Sequence, residues 1–222
     1  EALQVIEDND IDIVVSDVMM PLMNGLELCA KIKNNIEYSH IPVILLTAKV
    51  LPEAKVEGLS YGADAYVEKP FTILQLHMQI RNLLKLRTTF QQHMTSFLPD
   101  AKPEEKEEEE TGIQLTPQDQ EFIKKMQEII EQQLADEGFS IDTLASEMNM
   151  SRSNFYRKLK ALSGMPPNDY LKNCRLNKAA QLLKEGYRVT EVFERTGFGS
   201  SSYFAKCFKA KFGVLPKDYI SN

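Results

Sequence analysis

Hydrophobic positions in the N-terminal part of the chain alternate between short runs and helical spacing. The short runs, rich in strand-forming residues, cover residues 11–16, 43–47 and 65–67. Around them, residues 26–34, 52–61 and 74–86 carry apolar side chains at the helical period. Strands that alternate with helices indicate a parallel sheet with crossover helices. We therefore predict an α/β domain in residues 1–98.

The C-terminal part contains an internal repeat. Phe155, Leu159, Gly164, Pro167 and Tyr170 recur 49 positions later as Phe204, Phe208, Gly213, Pro216 and Tyr219. Upstream the offset falls to 48, with Ile141 and Leu144 matching Val189 and Val192. The second copy therefore holds one extra residue, which we place in a turn near 197–200. Each copy predicts a helix-turn-helix unit, at about 139–163 and 188–212.

The second helix of each unit is predicted to be amphipathic. In the first unit Phe155, Leu159 and Leu162 share one face, and either Ser151 or Ser153 can cap the helix. The opposite faces carry cations, hydroxyls and an amide, which suit hydrogen bonds in the major groove of DNA. These candidate DNA-binding residues are Arg152, Ser153, Asn154, Tyr156, Arg157 and Lys160 in the first unit, and Ser201, Ser202, Ala205, Lys206 and Lys209 in the second.

A long helix is predicted between the two units, over residues 168–185, and Gly186 ends it. Its apolar positions are Tyr170, Leu171, Cys174, Leu176, Ala179, Ala180, Leu182 and Leu183. A rigid helix in this place would fix the distance between the two units.

Residues 139–220 resemble the DNA-binding domain of the AraC family of transcription regulators. The resemblance is carried by Arg175-Leu-x2-Ala-x2-Leu182-Leu183 and by Thr196-Gly-Phe-x2-Ser-Ser-Tyr-Phe204, with Gly213 and Pro216 after it. It implies an all-α, double helix-turn-helix fold that binds double-stranded DNA and contacts RNA polymerase. One departure is Phe193, where the family usually has a small residue.

Three polar residues stand at the carboxyl ends of the predicted strands: Asp17, Thr47 and Lys69. In open parallel sheets, ligands bind beyond these strand ends. The trio suits a phosphoryl group, because it offers a carboxylate nucleophile, a hydroxyl donor and a cation.

Asp17-Val-Met-Met-Pro21-x3-Gly25, Leu46-Thr47-Ala48 and Lys69-Pro70-Phe71 resemble the receiver domain of two-component response regulators. The resemblance implies a flavodoxin-like, doubly wound sheet with Asp17 as phosphoacceptor and Thr47 and Lys69 supporting the phosphoryl group. It also implies Tyr66 as a switch residue, a cis Lys69-Pro70 bond, and Mg²⁺ held by Asp17 and the backbone carbonyl of Met19.

By this resemblance the receiver is partial, because residues 1–9 resemble its second helix. The acidic pair of the first strand is then missing, so we expect a fragment with an incomplete metal site where Mg²⁺ binds poorly or not at all. Residues 11–16 would form an exposed sheet edge, and a homodimer or edge-paired oligomer is expected.

Composition describes a chain of 222 residues, 43% apolar, without a secretory signal or a membrane-spanning run, which favours a cytoplasmic location. Cys29, Cys174 and Cys207 form no disulfide framework, and His40, His77 and His93 form no metal-ligand pattern. Charge is uneven. Residues 1–98 carry 8 basic and 12 acidic side chains, 99–121 carry 2 and 9, and 122–222 carry 16 and 11. Only the last part suits a phosphate backbone.

An acidic linker is predicted at 99–115, where six glutamates occur in seven residues. A solvated spacer is favoured over a segment that mimics DNA and covers the basic faces. The AraC-type domain would then occupy 116–222, beginning with a helix capped by Thr116, with Pro117 in its first turn and an apolar stripe from Phe122 to Leu134, and closed by Gly138.

The predicted function is sequence-specific DNA binding that activates transcription under control of Asp17 phosphorylation. The order of domains resembles the C-terminal end of hybrid two-component regulators, in which a saccharide sensor, a membrane-anchored region and a histidine kinase precede the receiver. The chain itself is not predicted to be an enzyme. The alternative function is a protein-interaction receiver with DNA binding that phosphorylation does not control.

Overall fold

The structure is a computed structural model that describes residues 1–48, 61–96 and 115–219. In the first part the elements are α1 Ala2–Asp8, β1 Val14–Asp17, α2 Gly25–Lys33, β2 Val43–Thr47, β3 Ala65–Glu68 and α3 Ile73–Ser96. In the second they are α4 Pro117–Gln133, α5 Ile141–Glu147, α6 Arg152–Ser163, α7 Pro167–Lys184, α8 Val189–Glu194, α9 Ser201–Phe212 and a 3-10 turn Pro216–Asp218. The predicted helix at 52–61 lies outside the described residues, apart from Tyr61, which is in a turn. The predicted linker also lies outside them up to residue 114.

The described residues form two compact units, and each is considered by itself. The boundary falls within α3, after Phe90, and within α4, after Ile123. The first unit is a receiver-like α/β domain and the second is a helical domain, as the sequence predicted.

The described sheet has three parallel strands in the order β1-β2-β3. Val14 is opposite Val43 and Asp17 is opposite Leu46, while Thr47 is opposite Glu68. The predicted strand at 11–16 begins later, at Val14. The N–H of Val14 donates to the carbonyl of Pro42 at 2.8 Å, and proline has no N–H with which to extend the ladder.

The core of the first unit is apolar, but one charged residue lies within it. Cys29, Ile32, Val43 and Leu45 are completely buried. Lys33 is only 6% exposed, and its Nζ donates to the carbonyl of Ile41 at 3.0 Å and pairs with Asp64 at 2.7 Å. Because a buried cation is costly without partners, this network ties α2 to the segment that enters β2.

Helix α4 begins where the sequence predicted and ends earlier. Thr116 Oγ1 accepts the N–H of Asp119 at 3.1 Å, and Pro117 is the first helical residue. The helix stops at Gln133, not at Gly138. The Asp136 carboxylate accepts the N–H of Gly138 at 2.8 Å, a local turn that competes with further helix. The apolar stripe consists of buried Phe122, Met126, Ile130 and Leu134, with Ile129 half-buried.

The second unit contains two helix-turn-helix pairs, α5–α6 and α8–α9. Asn149 and Gly197, 48 positions apart, both have positive φ, at 54° and 65°. The N-cap residues Ser151 and Ser200 are 49 positions apart. The extra residue of the second copy therefore lies between Gly197 and Ser200, within the predicted turn.

Helix α7 lies between the two pairs, packs against both, and buries all eight of its predicted apolar positions. Gly186 follows it with φ 91°, a conformation that favours glycine. At 18 residues, α7 is roughly 27 Å long. Helix α7 therefore supports both helix-turn-helix pairs.

Aromatic rings fill the core of the second pair. Phe204 and Phe208 are buried with ring centroids 5.7 Å apart, and Phe208 meets Tyr219 edge-on at 5.2 Å. Phe193 is half-buried at the rim, 6.3 Å from Phe204. The large side chain at this position is therefore accommodated beside the neighbouring helix.

Candidate functional site

The carboxylate of Asp17 and the ammonium of Lys69 form an ion pair at the carboxyl end of the sheet. The two residues are 52 positions apart, and the adjacent ends of parallel strands bring them together. Their side chains are 35% and 39% exposed, so solvent reaches the site. Lys69, and then the Met19 N–H at 3.2 Å, hold the pKa of Asp17 below its usual value. Asp17 is therefore an accessible carboxylate that stays ionised.

Thr47 is the last residue of the middle strand and lies at the same end of the sheet. Its carbonyl accepts the N–H of Lys69 at 2.7 Å, which fixes the start of the loop that carries the lysine. The Lys69-Pro70 peptide bond is cis, as the sequence resemblance implied. The three predicted phosphoryl-site residues thus lie at one end of the sheet.

Gly25 is required by the close approach of the loop that follows Asp17. Its N–H donates to the carbonyl of Val18 at 2.9 Å. A Cβ at Gly25 would lie 2.2 Å from the carbonyl oxygen of Asp17, which is closer than atoms can approach. A side chain here would displace the backbone of the acceptor residue.

Tyr66 lies on β3 opposite Leu45 and packs against the core of the first unit. Its hydroxyl is buried and has no hydrogen-bond partner among the described residues. Burial, and secondarily the thiol of Cys29, raise the pKa of Tyr66 to about 12. A buried, unsatisfied hydroxyl is costly, so this side chain gains if its oxygen reaches a partner.

The resemblance to receiver domains implies that Mg²⁺ binds next to Asp17. One carboxylate oxygen of Asp17 accepts from Met19 and the other pairs with Lys69. Across the described ranges, no group of three or more His, Cys, Asp or Glu side chains is placed to hold a metal ion. Mg²⁺ needs several oxygen ligands in octahedral geometry. The described residues alone do not fit the metal.

The first predicted DNA-binding face lies on α6, which Ser151 begins by accepting the N–H of Asn154 at 3.2 Å. Phe155 and Leu159 are fully buried, so the opposite side of the helix faces outward. Asn154 and Arg157 are half-buried, and the other predicted residues, Arg152, Ser153, Tyr156 and Lys160, are exposed. The helix thus presents the whole predicted set on an accessible surface.

The second face lies on α9, where Ser200 caps the helix through the N–H of Tyr203 at 3.4 Å. Here the exposed residues are Ser201, Ser202, Lys206 and Lys209, and Ala205 is half-buried. This face has two lysines and no arginine. Lysine acts as a point charge, whereas arginine can form two parallel hydrogen bonds.

Side-chain contacts link α7 to α9 and to the segment before α5. Lys211 Nζ donates to the side-chain oxygen of Asn173 at 3.2 Å. Arg175 donates to the carbonyls of Asp136 and Phe139, at 2.9 and 3.0 Å. Burial lowers the pKa of Arg175 from its usual value. The arginine of the sequence motif therefore fixes the segment before α5 and is not part of the exposed faces.

Two side-chain pairs on the first face could not be found from sequence. Arg152 Nε lies 2.9 Å from Asp142 on α5, and Arg157 Nη2 donates to Asn154 Oδ1. The first pair joins two different helices, so no regular spacing in the sequence indicates it. The second is an i, i+3 pair on one helix, which the helical period allows but does not require.

The structure also bears on membrane insertion: within the described ranges, none of the helices combines the length and apolarity needed to cross a bilayer.

Two family models match the chain. Residues 1–81 match the response regulator receiver domain, and residues 144–222 match a helix-turn-helix domain.

Three relatives illustrate the similarity. The chain is 36% identical over 219 residues to histidine kinase P4 of Formosa agariphila, covering 98% of this chain and 15% of that protein. It is 43% identical over 96 residues to the transcriptional regulatory protein YvrH of Bacillus subtilis, covering 43% of this chain and 38% of that protein. The C-terminal domain of the response regulator yesN of Fusobacterium nucleatum is 30% identical, with TM-score 0.42, covering 45% of this chain and 98% of that one.

The two matches define the class: a receiver domain joined to a helix-turn-helix domain. Residues 1–81 thus belong to the receiver domains of two-component response regulators, and residues 144–222 form an AraC-type helix-turn-helix domain. The chain spans about 15% of the length of the Formosa histidine kinase and about 38% of YvrH.

Proposed function

We propose that the chain binds one asymmetric DNA site through α6 and α9, and that phosphorylation of Asp17 controls this binding. The observation that carries the DNA part is the pair of exposed, polar helix faces supported by α7. We assign base and phosphate contacts to the predicted residues on these faces.

The two helices would enter neighbouring segments of major groove, about one helical turn or roughly 34 Å apart. The two half-sites should differ in sequence, because Tyr156 and Arg157 on the first face correspond to Ala205 and Lys206 on the second. This arrangement predicts a site without two-fold symmetry.

In the phosphorylation step, a carboxylate oxygen of Asp17 attacks the phosphorus of a phosphohistidine, and the bond from phosphorus to the histidine nitrogen breaks. Lys69 would neutralise the phosphoryl oxygens and Thr47 would donate a hydrogen bond to one of them. Tyr66, with its buried and unsatisfied hydroxyl, is the proposed switch. Mg²⁺ is the metal expected for a receiver.

The proposal also includes activation of transcription through RNA polymerase, control of saccharide utilisation, and a histidine kinase in the same polypeptide. These features are supported by the sequence resemblance to hybrid regulators and by the similarity to the Formosa histidine kinase over nearly the whole chain. Pairing of β1 with a second copy would add a homodimer.

A second candidate is DNA binding that phosphorylation does not control, with the receiver acting in protein interaction. The observation that favours it is the environment of Asp17, whose two oxygens are already engaged and near which the described residues place no metal-binding group.

The experiment is footprinting on a duplex selected by the chain from a random pool. The proposal predicts protection of two adjacent major-groove segments with different sequences. A symmetric palindrome contacted by α6 alone would contradict it. Titrating this duplex with and without an acyl-phosphate donor separates the two candidates. The titration uses the chain and a version extended at its N-terminus by a first receiver strand, and only the first candidate predicts a change in DNA affinity for the extended version.

A further inference from the structure

Residues 134–139, which we call the bridging segment, lie between α4 and α5 and contact α7. Arg175 on α7 donates from Nη2 to the carbonyl of Asp136 at 2.9 Å and to that of Phe139 at 3.0 Å. This nitrogen carries two N–H groups, so it can bind both carbonyls at once. The guanidinium thus holds the bridging segment at two points, just before the first helix pair begins.

The turn of the second helix pair lies on the same segment. Gly197 is buried and has φ 65°. A Cβ at Gly197 would lie only 2.4 Å from the carbonyl oxygen of Leu134, and a Cβ at Gly199 would lie 2.3 Å from Oε1 of Glu137. At position 197 a side chain would meet backbone, so glycine is what allows the turn to reach the bridging segment.

The extra residue of the second copy falls in this turn. Between the residue with positive φ and the N-cap residue, the first turn contains Met150, whereas the second contains Phe198 and Gly199. Phe198 is buried against Phe204, with ring centroids 5.1 Å apart, and Gly199 lies beside the bridging segment. The difference in length between the two copies is therefore located where the second pair meets the segment that leads into the first.

The two helix pairs are thus joined in two ways, through α7 and through the bridging segment. A single connecting helix would leave each pair able to tilt about it, and a second contact away from the helix axis opposes that tilt. In DNA, a change in the number of base pairs between two half-sites moves them apart and also rotates one around the axis relative to the other. A protein with two rigidly joined reading helices should therefore accept only one spacing.

We propose that the bridging segment, held by Arg175 and by the close approach of Gly197, fixes the distance and angle between α6 and α9 and so sets the half-site spacing that the chain accepts. This proposal rests on the proposed DNA binding. Arg175 is a positioning residue, which acts through the bridging segment and need not touch DNA.

The test uses the 222-residue chain and a duplex that it selects from a random pool. A second duplex has two base pairs inserted between the half-sites that footprinting defines, which rotates one half-site by about 70° relative to the other. The spacing penalty is the ratio of Kd for the second duplex to Kd for the first. For the wild type we expect a penalty of about tenfold or more, because the base contacts of one half-site are lost.

Arg175→Met removes both hydrogen bonds to the bridging segment and keeps a long apolar side chain. It should lower the spacing penalty to about threefold or less, while binding to a duplex with one half-site changes by less than about twofold. Arg175→Lys is the milder change, should Arg175→Met not fold, because a point charge replaces the planar guanidinium; its penalty should be intermediate. Circular dichroism checks that each variant is folded.

Gly197→Ala should lower the spacing penalty in the same way, because its Cβ forces the second turn away from the bridging segment. Gly186→Ala is the matched control. Gly186 also has a positive φ, 91°, but a Cβ there would meet no described atom within 4 Å. This variant carries similar backbone strain without the contact, so it should keep the wild-type penalty.

The proposal would be overturned if the folded Arg175 and Gly197 variants kept the wild-type spacing penalty, or if they lost affinity equally for both spacings and for the single half-site. A wild-type chain that binds both spacings with equal affinity would overturn it as well. A wild-type chain that selects no sequence, or that protects a single DNA segment, would instead refute the proposed DNA recognition.

Discussion

The aromatic core of the second helix pair allows us to predict how much free energy of unfolding is lost when one ring is removed. Phe208 is completely buried and lies within 6 Å, centroid to centroid, of Phe204, Phe212 and Tyr219. Phe208→Ala removes a full ring from this packing, and such changes cost about 3 to 5 kcal/mol. This is a large share of the roughly 5 to 15 kcal/mol that holds a domain folded. The α8–α9 helix pair should therefore unfold locally far more often.

Phe212→Ala is the matched control, because Phe212 lies on the same helix and is only half-buried. Losing half the burial of one ring should cost about 1 kcal/mol. The assay is native-state hydrogen exchange of peptides from Ser201–Phe212, with peptides from Gly25–Lys33 in the first unit as an internal reference. Equal losses in the two variants, or a loss below about 1 kcal/mol for Phe208→Ala, would refute the packing argument.

Three further predictions concern the charged groups. Lys69→Met should raise the pKa of Asp17, because the cation that favours its ionised form is gone; carboxyl NMR titration measures this, and an unchanged titration would show that the pair does not form in solution. The contribution of this pair to stability is complete above the ordinary pKa of 3.8 and is lost as pH falls through the lowered folded value, so variant and wild type should converge in acid. Lys209→Ala should weaken binding to all duplexes alike and reduce the slope of log K against log salt concentration by about 1. Arg157→Ala should instead cost about 1 to 3 kcal/mol of binding free energy on the selected duplex only. Salt titrations on the selected duplex and on an unrelated duplex measure both effects, and the reverse pattern would contradict the assignment. With acetyl phosphate and Mg²⁺, the 222-residue chain should gain little phosphate by intact mass, since Asp17 is the sole carboxylate assigned to its site among the described residues, and rapid stoichiometric uptake would contradict this.

Sequence predicted the type of each element because burial enforces its period. The eight apolar positions of α7 are all buried, and Ser151, one of two candidate caps, is the one that caps α6. Boundaries were less predictable, since they depend on individual contacts. Strand β1 starts at Val14, whose N–H donates to the carbonyl of Pro42, and α4 stops before the turn closed by Asp136.

The candidate sites show the same division. Strand ends brought Asp17 and Lys69 together, as parallel topology requires. The partners of Arg152 and Arg157 could not be predicted, because rotamers decide whether a long side chain meets an acidic or amide group within reach. The assignment of the outward residues to DNA contacts stays a prediction.

The central claim is that two dissimilar helix faces on one support read one asymmetric DNA site, and hydroxyl-radical footprinting on a selected duplex tests it most directly. The account predicts two protected segments about one helical turn apart, roughly 34 Å, with Arg157→Ala exposing one segment and the Lys206→Ala, Lys209→Ala pair exposing the other. A single protected segment, or one that both sets of substitutions expose equally, would contradict it.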